Sequence, residues 1–191
     1  KPGKIPINVI SHDLNQDGFV DLAVTLRYHK VVVHWGKGNG YFSDPVTLHL
    51  GGQPTGITYS DYNDDQRPDI AVALAGSGNV GVQIIWGKDN NRFEISEVFL
   101  GGGQPIALAN LDADGDGAMD LVTASNSTHD IAVFINQKDE TFKGLKHFAS
   151  GEFPKFIMSA DFTDDGVPDL AVSNAPLDTI SVVLGRGDGT I

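Results

Sequence analysis

The chain has no cysteine and only two methionines among 191 residues. Without thiols it has no disulfide staples, no thiolate metal site and no cysteine nucleophile. Basic residues are also scarce: 13 Lys and Arg stand against 25 Asp and Glu, a net charge of −12. Such a surface repels phosphate, which makes nucleic acid and anionic membrane poor partners. No apolar run reaches the length of a membrane span, so membrane insertion is not expected. No signal peptide is recognisable, and a start at Lys1 rather than Met fits a mature or trimmed fragment. What the chain does have is a hydrophobic content of 40%, too high for disorder and enough to bury a core.

Internal repetition dominates the rest. The acidic run "DADGDGAMD" at Asp112–Asp120 has three relatives: "DLNQDGFVD" from Asp13, "DYNDDQRPD" from Asp61 and "DFTDDGVPD" from Asp161. Their starts lie 48, 51 and 49 residues apart. A G-x-x-P element precedes each one, at Gly3–Pro6, Gly51–Pro54, Gly102–Pro105 and Gly151–Pro154, with seven residues from each Pro to the first Asp. After each acidic run come a short apolar stretch, a second one ("VVVHWG", "VQIIWG", "IAVFIN", "ISVVLG") and a polar turn. Each unit therefore holds runs of strand length, rich in Val and Ile and bounded by turn formers, with no sustained 3.6-residue period. Four strands per repeat of about 49 residues make the blade of a β-propeller. The expected fold is all-β, with four-stranded antiparallel blades in repeats of approximately 3–50, 51–101, 102–150 and 151–191. The last repeat stops before its fourth strand, which leaves three arrangements: a tight four-bladed ring, part of a longer ring, or association between copies.

The acidic runs carry oxygen side chains at positions 1, 3, 5 and 9, the donors a hard cation takes, and Ca²⁺ accepts six to eight of them. Asp112, Asp114, Asp116 and Asp120 form the most complete set, with Gly117 at position 6. Asp13, Asn15, Asp17 and Asp21 come next, with Gly18. In the run from Asp161, Thr163 is the weaker third donor beside Asp165 and Asp169. In the run from Asp61, Asn63, Asp65 and Asp69 keep the donors, but Gln66 replaces the glycine, which predicts a distorted site. Position 7 would offer a backbone carbonyl, from Phe19, Arg67, Ala118 and Val167. An EF-hand needs an acidic ligand at position 12 and a following helix. Here position 12 is Val24, Val72, Thr123 and Val172, all in β-branched runs, so that reading fails. Thirteen of the 25 acidic residues are Asp of these sets, and up to four Ca²⁺ would move the net charge from −12 to −4.

Other motifs carry less. "GSGNVG" at Gly76–Gly81 matches a dinucleotide fingerprint but precedes a strand-like run where a helix is required. "RGD" at Arg186–Asp188 falls on the standard polar turn of its repeat. Asn126 opens the sequon "NST", a possible glycosylation site in a secretory pathway. The six His form no zinc pair, and no G-x-S-x-G is present. No catalytic constellation emerges, and no enzyme activity is expected.

The pattern D-x-[DN]-x-D-G-x-x-D-[LI]-A-V with its upstream G-x-x-P resembles the FG-GAP/VCBS repeat family and covers essentially the whole chain. The family occurs in integrin α-chain propellers, bacterial surface proteins and some fungal lectins. The resemblance implies calcium-binding loops on one face, an extracellular or cell-surface location, and partners docking on the opposite face. The variable loops on that face are Arg27, Tyr28 and His29, the Gly76–Gly81 loop, Asn126 to His129, and Pro176 to Asp178. The resulting expectation is a calcium-stabilised, non-catalytic module for adhesion, protein interaction or self-assembly. Two alternatives remain open: a carbohydrate-binding module, with Tyr28, Trp35 and Trp86 as aromatic candidates, and the propeller domain of a larger polysaccharide-acting enzyme. Partners would be a protein or glycan ligand, further copies, or further blades of a longer chain.

Overall fold

A computed structural model describes residues 5–101, 103–175 and 178–191. Gly3 and Gly102 of two G-x-x-P elements, and Pro176 and Leu177 of the last variable loop, lie outside the described residues. All regular structure in the described residues is β, in fifteen strands.

The strands form four consecutive antiparallel meanders, one per repeat. Blade 1 is β1 (Pro6–His12), β2 (Asp21–Leu26), β3 (Lys30–His34) and β4 (Val46–His49). Blade 2 is β5 (Gln53–Ser60), β6 (Asp69–Ala75), β7 (Gly81–Lys88) and β8 (Arg92–Leu100). Blade 3 is β9 (Pro105–Leu111), β10 (Asp120–Ser125), β11 (Asp130–Asn136) and β12 (Phe142–Ala149). Blade 4 has three strands, β13 (Pro154–Ala160), β14 (Asp169–Asn174) and β15 (Thr179–Val183). The molecule is a β-propeller of four blades, as the repeats predict.

Side chains on a strand alternate between faces, so each blade has one face toward the blade before it and one toward the blade after it. Three hydrophobic cores fill the gaps in series. Ala23, Val31 and Val33 of blade 1 meet Ile70, Val72 and Ile85 of blade 2. Ala71, Val82 and Ile84 of blade 2 meet Leu121, Ala132 and Phe134 of blade 3. Val122, Ile131 and Val133 of blade 3 meet Leu170 and Val172 of blade 4. Among the described residues no such core joins blade 4 to blade 1.

The burial of the second strand reports this arrangement. In β6, "DIAVALA", every residue is buried because blades cover both faces. In β2, "DLAVTL", Leu22 and Val24 are only half-buried, because one face alone is covered. The inner strands β1, β5, β9 and β13 line up side by side. Polar side chains tie neighbours together: Thr55 Oγ1 donates to the Pro105 carbonyl at 2.7 Å and Ser159 Oγ to the Asn110 carbonyl at 2.7 Å.

Trp35 and Trp86, raised as sugar-stacking candidates, are committed to packing. Trp35 stacks on Phe93 across the first junction, with ring centres 5.6 Å apart and planes 7° from parallel. Trp86 lies in the core between blades 2 and 3. Gly76–Gly81 leads into β7, a strand, so it lacks the helix start that a dinucleotide site requires.

Candidate metal centres

Each acidic run joins the first strand of a blade to the second. The turn is built by the carboxylates themselves. The position-1 Asp accepts backbone N–H groups from the residues ahead: Asp13 from Asp17 (3.0 Å) and Gly18 (2.8 Å), Asp61 from Asp65 (3.2 Å) and Gln66 (2.6 Å). Asp112 accepts from Gly115 (2.8 Å), Asp116 (3.1 Å) and Gly117 (3.0 Å), and Asp161 from Asp165 (3.2 Å) and Gly166 (2.8 Å). The position-5 Asp then accepts the N–H of position 7, so Asp17, Asp65, Asp116 and Asp165 each hold Phe19, Arg67, Ala118 and Val167 at 2.8–2.9 Å. These self-made turns gather the acidic groups on a short curl of chain.

Two positions of the curl are left-handed. Position 6 is one, as glycine there implies: Gly18, Gly117 and Gly166 have φ of 84–87°. Gln66 adopts φ 65° at the same place and donates to Asp61 as the glycines do, so the second loop keeps the common path where distortion was expected. Position 4 is the other, with φ of 59–61° at Gln16, Asp64 and Asp164 and 76° at Gly115. The sequence reading missed this position. Its signal is a residue type, Gln, Asp or Gly, rather than an invariant glycine.

The position-9 Asp is set apart from the rest. Asp21, Asp69, Asp120 and Asp169 are each fully buried. One oxygen of each accepts the N–H of position 2 in its own loop: Leu14 (2.9 Å), Tyr62 (2.9 Å), Ala113 (2.8 Å) and Phe162 (2.9 Å). The other accepts the N–H at the end of the third strand: Gly36 (2.7 Å), Gly87, Asn136 and Gly185 (2.8 Å each). This residue therefore clamps loop, second strand and third strand together. Burial drives the Asp69 carboxyl up to about 7 and Asp120 up to about 6. The two N–H bonds partly offset burial, and the neighbouring carboxylates at positions 1 and 3 or 5 add to it. Asp21 is raised for the same reasons.

The third loop is the most concentrated site. Carboxylate oxygens of Asp112, Asp114 and Asp116 lie within 4.8 Å of one another, the one such trio among the described residues. A cation already stands at its rim: Lys138 Nζ donates to the Asp116 carbonyl at 2.7 Å and lies 3.2 Å from its carboxylate. Asp116 is held below the usual carboxylate range, first by the Ala118 N–H and then by Lys138. The donors are hard, anionic or carbonyl oxygens, and they fit Ca²⁺. In the first two loops position 3 is an amide that spends its NH₂ on Asp17 (3.0 Å) or Asp65 (3.3 Å), leaving an oxygen as the donor. In the fourth, Thr163 lies 3.4 Å from Asp161.

The residues proposed for the opposite end lie on separate turns of two blades. Arg27, Tyr28 and His29 make the exposed β2–β3 turn of blade 1, with Tyr28 and His29 left-handed at φ 69° and 61°. Asn126 and His129 belong to the β10–β11 turn of blade 3, one blade removed. The His129 Nδ1 accepts the Phe153 N–H at 2.9 Å, and its ring meets the Phe153 ring edge-on. The Asn126 side-chain oxygen is buried. The Gly76 turn latches onto blade 3, its N–H donating to Gln104 Oε1 at 2.6 Å.

Fold and loops together define a β-propeller whose blades each carry an aspartate-built turn at the same end. The chain belongs to the FG-GAP-like repeat family, whose model matches residues 13–72, 61–123 and 112–172, each match running from one acidic loop through the next. Among curated proteins it is similar to phosphatidylinositol-glycan-specific phospholipase D of Rattus norvegicus, at 33% identity over 60% of this chain and 18% of that protein. The Mus musculus protein of the same name is similar at 32% identity, over 60% of this chain and 17% of that one. The chain thus spans under a fifth of the length of those relatives. Among solved structures, BBS1N in complex with ARL6DN shares the fold at a TM-score of 0.61 and 16% identity, covering 96% of this chain and 55% of that one.

Proposed function

We propose that the chain is a non-catalytic, calcium-stiffened propeller module that works outside the cell by presenting a rigid surface to a protein partner. The observation that carries the metal part is the third loop, where three carboxylates converge within 4.8 Å on a turn preformed by their own backbone bonds. In a chain without disulfides, a divalent ion there would join the first strand of a blade to the second. Asp112, Asp114 and Asp116 would hold the ion, with Asp120 beneath them. Asp13, Asn15, Asp17 and Asp21, and their counterparts in the second and fourth loops, would do the same with fewer charges. The ion would supply charge neutralisation and rigidity rather than chemistry.

Thermal unfolding in chelator and in Ca²⁺ tests the proposal. Ligand that binds only the folded state stabilises it by about 2.7 kcal/mol at a hundredfold excess over Kd. The melting temperature should therefore rise with Ca²⁺, and Asp112→Asn with Asp114→Asn should remove the third loop's share of the rise. An unchanged melting temperature overturns the metal reading.

A second reading draws on the phospholipase D relatives: the chain would be the propeller portion of a larger enzyme that acts on phosphatidylinositol-glycan anchors. Catalysis would then lie in other segments, and this chain alone should release no product from an anchored substrate. Turnover by the isolated chain would overturn the non-catalytic assignment.

A further inference from the structure

One motif of the sequence stands outside the metal reading: Arg186, Gly187 and Asp188, in the turn that follows the third strand of blade 4. The turn is closed like its counterparts. Arg186 N donates to the Thr190 carbonyl at 3.2 Å, as Lys37 N does to Tyr41 at 3.1 Å and Gln137 N to Thr141 at 3.0 Å. Asp188 Oδ1 accepts the Thr190 N–H at 2.9 Å and the Thr190 hydroxyl at 2.5 Å. Gly187 is left-handed at φ 67°, as Gly38 and Lys138 are at the same place. The turn also rests on the third acidic loop, where Gly189 N donates to the Ala113 carbonyl at 2.9 Å. The tripeptide therefore sits on a fixed base.

Turn chemistry accounts for only part of it. In blade 1 the neutral Asn39 does the capping, its Oδ1 accepting the Tyr41 N–H at 3.2 Å, so the turn needs no carboxylate. Gln137 stands at the Arg186 place in blade 3, so it needs no cation either. What is left over is one guanidinium and one carboxylate oxygen. Both residues are exposed. Among the described residues Arg186 makes no ion pair, whereas Arg67, Lys88 and Lys138 each meet a carboxylate. Among the same residues Asp188 Oδ2 accepts no hydrogen bond. A further blade after blade 4 would leave this tip reachable. Asn90 and Asp139, at the Asp188 place, are exposed with a blade following theirs, and Lys88 and Gln137, at the Arg186 place, are only half-buried.

We propose that Arg186, Gly187 and Asp188 form a docking tip for a receptor protein that seats the guanidinium on a carboxylate and the free Asp188 oxygen on a bound divalent ion. A carboxylate matches the planar donors of a guanidinium, and a free carboxylate oxygen is a ligand that hard divalent cations take. The tip rests on the reading of the chain as an extracellular module with a protein partner, and it names where and how that partner holds on.

Surface plasmon resonance of the chain against integrin ectodomains that bind Arg-Gly-Asp peptides, with Mg²⁺ present throughout for the probe, tests this. Binding should saturate and be displaced by an Arg-Gly-Asp peptide but not by Arg-Gly-Glu. Asp188→Glu and Arg186→Gln should each weaken it about thirtyfold or more, the scale for removing one partner of a buried charged pair. Asp139→Glu, the same change on the neighbouring turn, should leave it intact. Each variant should keep the wild-type melting temperature, so that the loss reports recognition rather than folding. No saturable binding to any of these ectodomains, or binding that survives Asp188→Glu or the competing peptide, overturns the proposal. A partner that docks elsewhere on the module would bind the Asp188→Glu variant as well as the wild type. The response of the melting temperature to Ca²⁺ is unaffected by either result, so the tip and the metal reading fail separately.

Discussion

Two aspartate roles coexist in one nine-residue turn, and only part of that was legible in the sequence. The spacing of positions 1, 3, 5 and 9 marked all four as cation ligands. The folded chain separates them: positions 1 and 5 shape the turn at the surface, while position 9 is buried with both oxygens on backbone N–H groups. That difference depends on the third strand arriving beside the loop, which no local pattern announces. Lys138 was invisible for the same reason, since 22 residues separate it from Asp116. It occupies the rim as a fixed positive charge, and a divalent ion entering the third loop must work against it. Two unit charges about 4 Å apart interact by about 1 kcal/mol in water, and a divalent ion doubles that to about 2 kcal/mol. Lys138→Gln should therefore tighten Ca²⁺ binding to the third loop by about thirtyfold at most. Titration calorimetry of the variant against wild type would read this, with a slightly lower melting temperature in chelator as the companion effect.

At the scale of the strand, the composition read well and the burial did not. Val- and Ile-rich runs placed the strands in register, and Gly51, Trp86 and Gly87 recur at matched positions of other repeats. What the runs could not tell is that β6 is covered on both faces while β2, with nearly the same sequence, is covered on one. Coverage is set by the neighbouring blade, a property of order in the chain rather than of the strand. The glycine that ends the third strand has a reason found only in three dimensions. A Cβ on Gly36, Gly87 or Gly185 would sit 2.2–2.5 Å from the carbonyl oxygen of Val20, Pro68 or Pro168, the residue just before the buried Asp. In the third repeat Asn136 takes this place and turns the proximity into a bond, its Nδ2 donating to Met119 O at 3.1 Å and, across the junction, to Tyr62 O at 2.8 Å. Gly87→Ala should cost about 1–3 kcal/mol, the usual range for overpacking. A lower urea midpoint with an unchanged m-value would report it.

For the molecule as a whole, charge and burial push in the same direction. The metal-free chain carries −12 and holds Asp69 and Asp120 with carboxyls raised to about 7 and about 6. A carboxyl raised in the folded state binds its proton more tightly there than in the unfolded chain. The stability these two groups contribute is fully present below the ordinary carboxylate range and is lost as pH rises through about 6 to 7. The metal-depleted protein should melt higher at pH 5 than at pH 8, and Asp69→Asn should flatten the slope. Melting curves across that range after removal of divalent ions check both. Ca²⁺ binding near pH 6.5 should release protons, because the ion favours the charged carboxylates.

The three cores lie in series, each shared by only two blades. Cohesion in such an array is a sum of nearest-neighbour couplings, as in other repeat proteins. Blades 2 and 3 have a neighbour on both sides, whereas blades 1 and 4 have one. Within these four blades the amides of β6 and β10, covered on both faces, should exchange with solvent more slowly than those of β2. Anything that covers the outer faces of blades 1 and 4 would flatten that gradient, and would change how the array comes apart before it changed its shape.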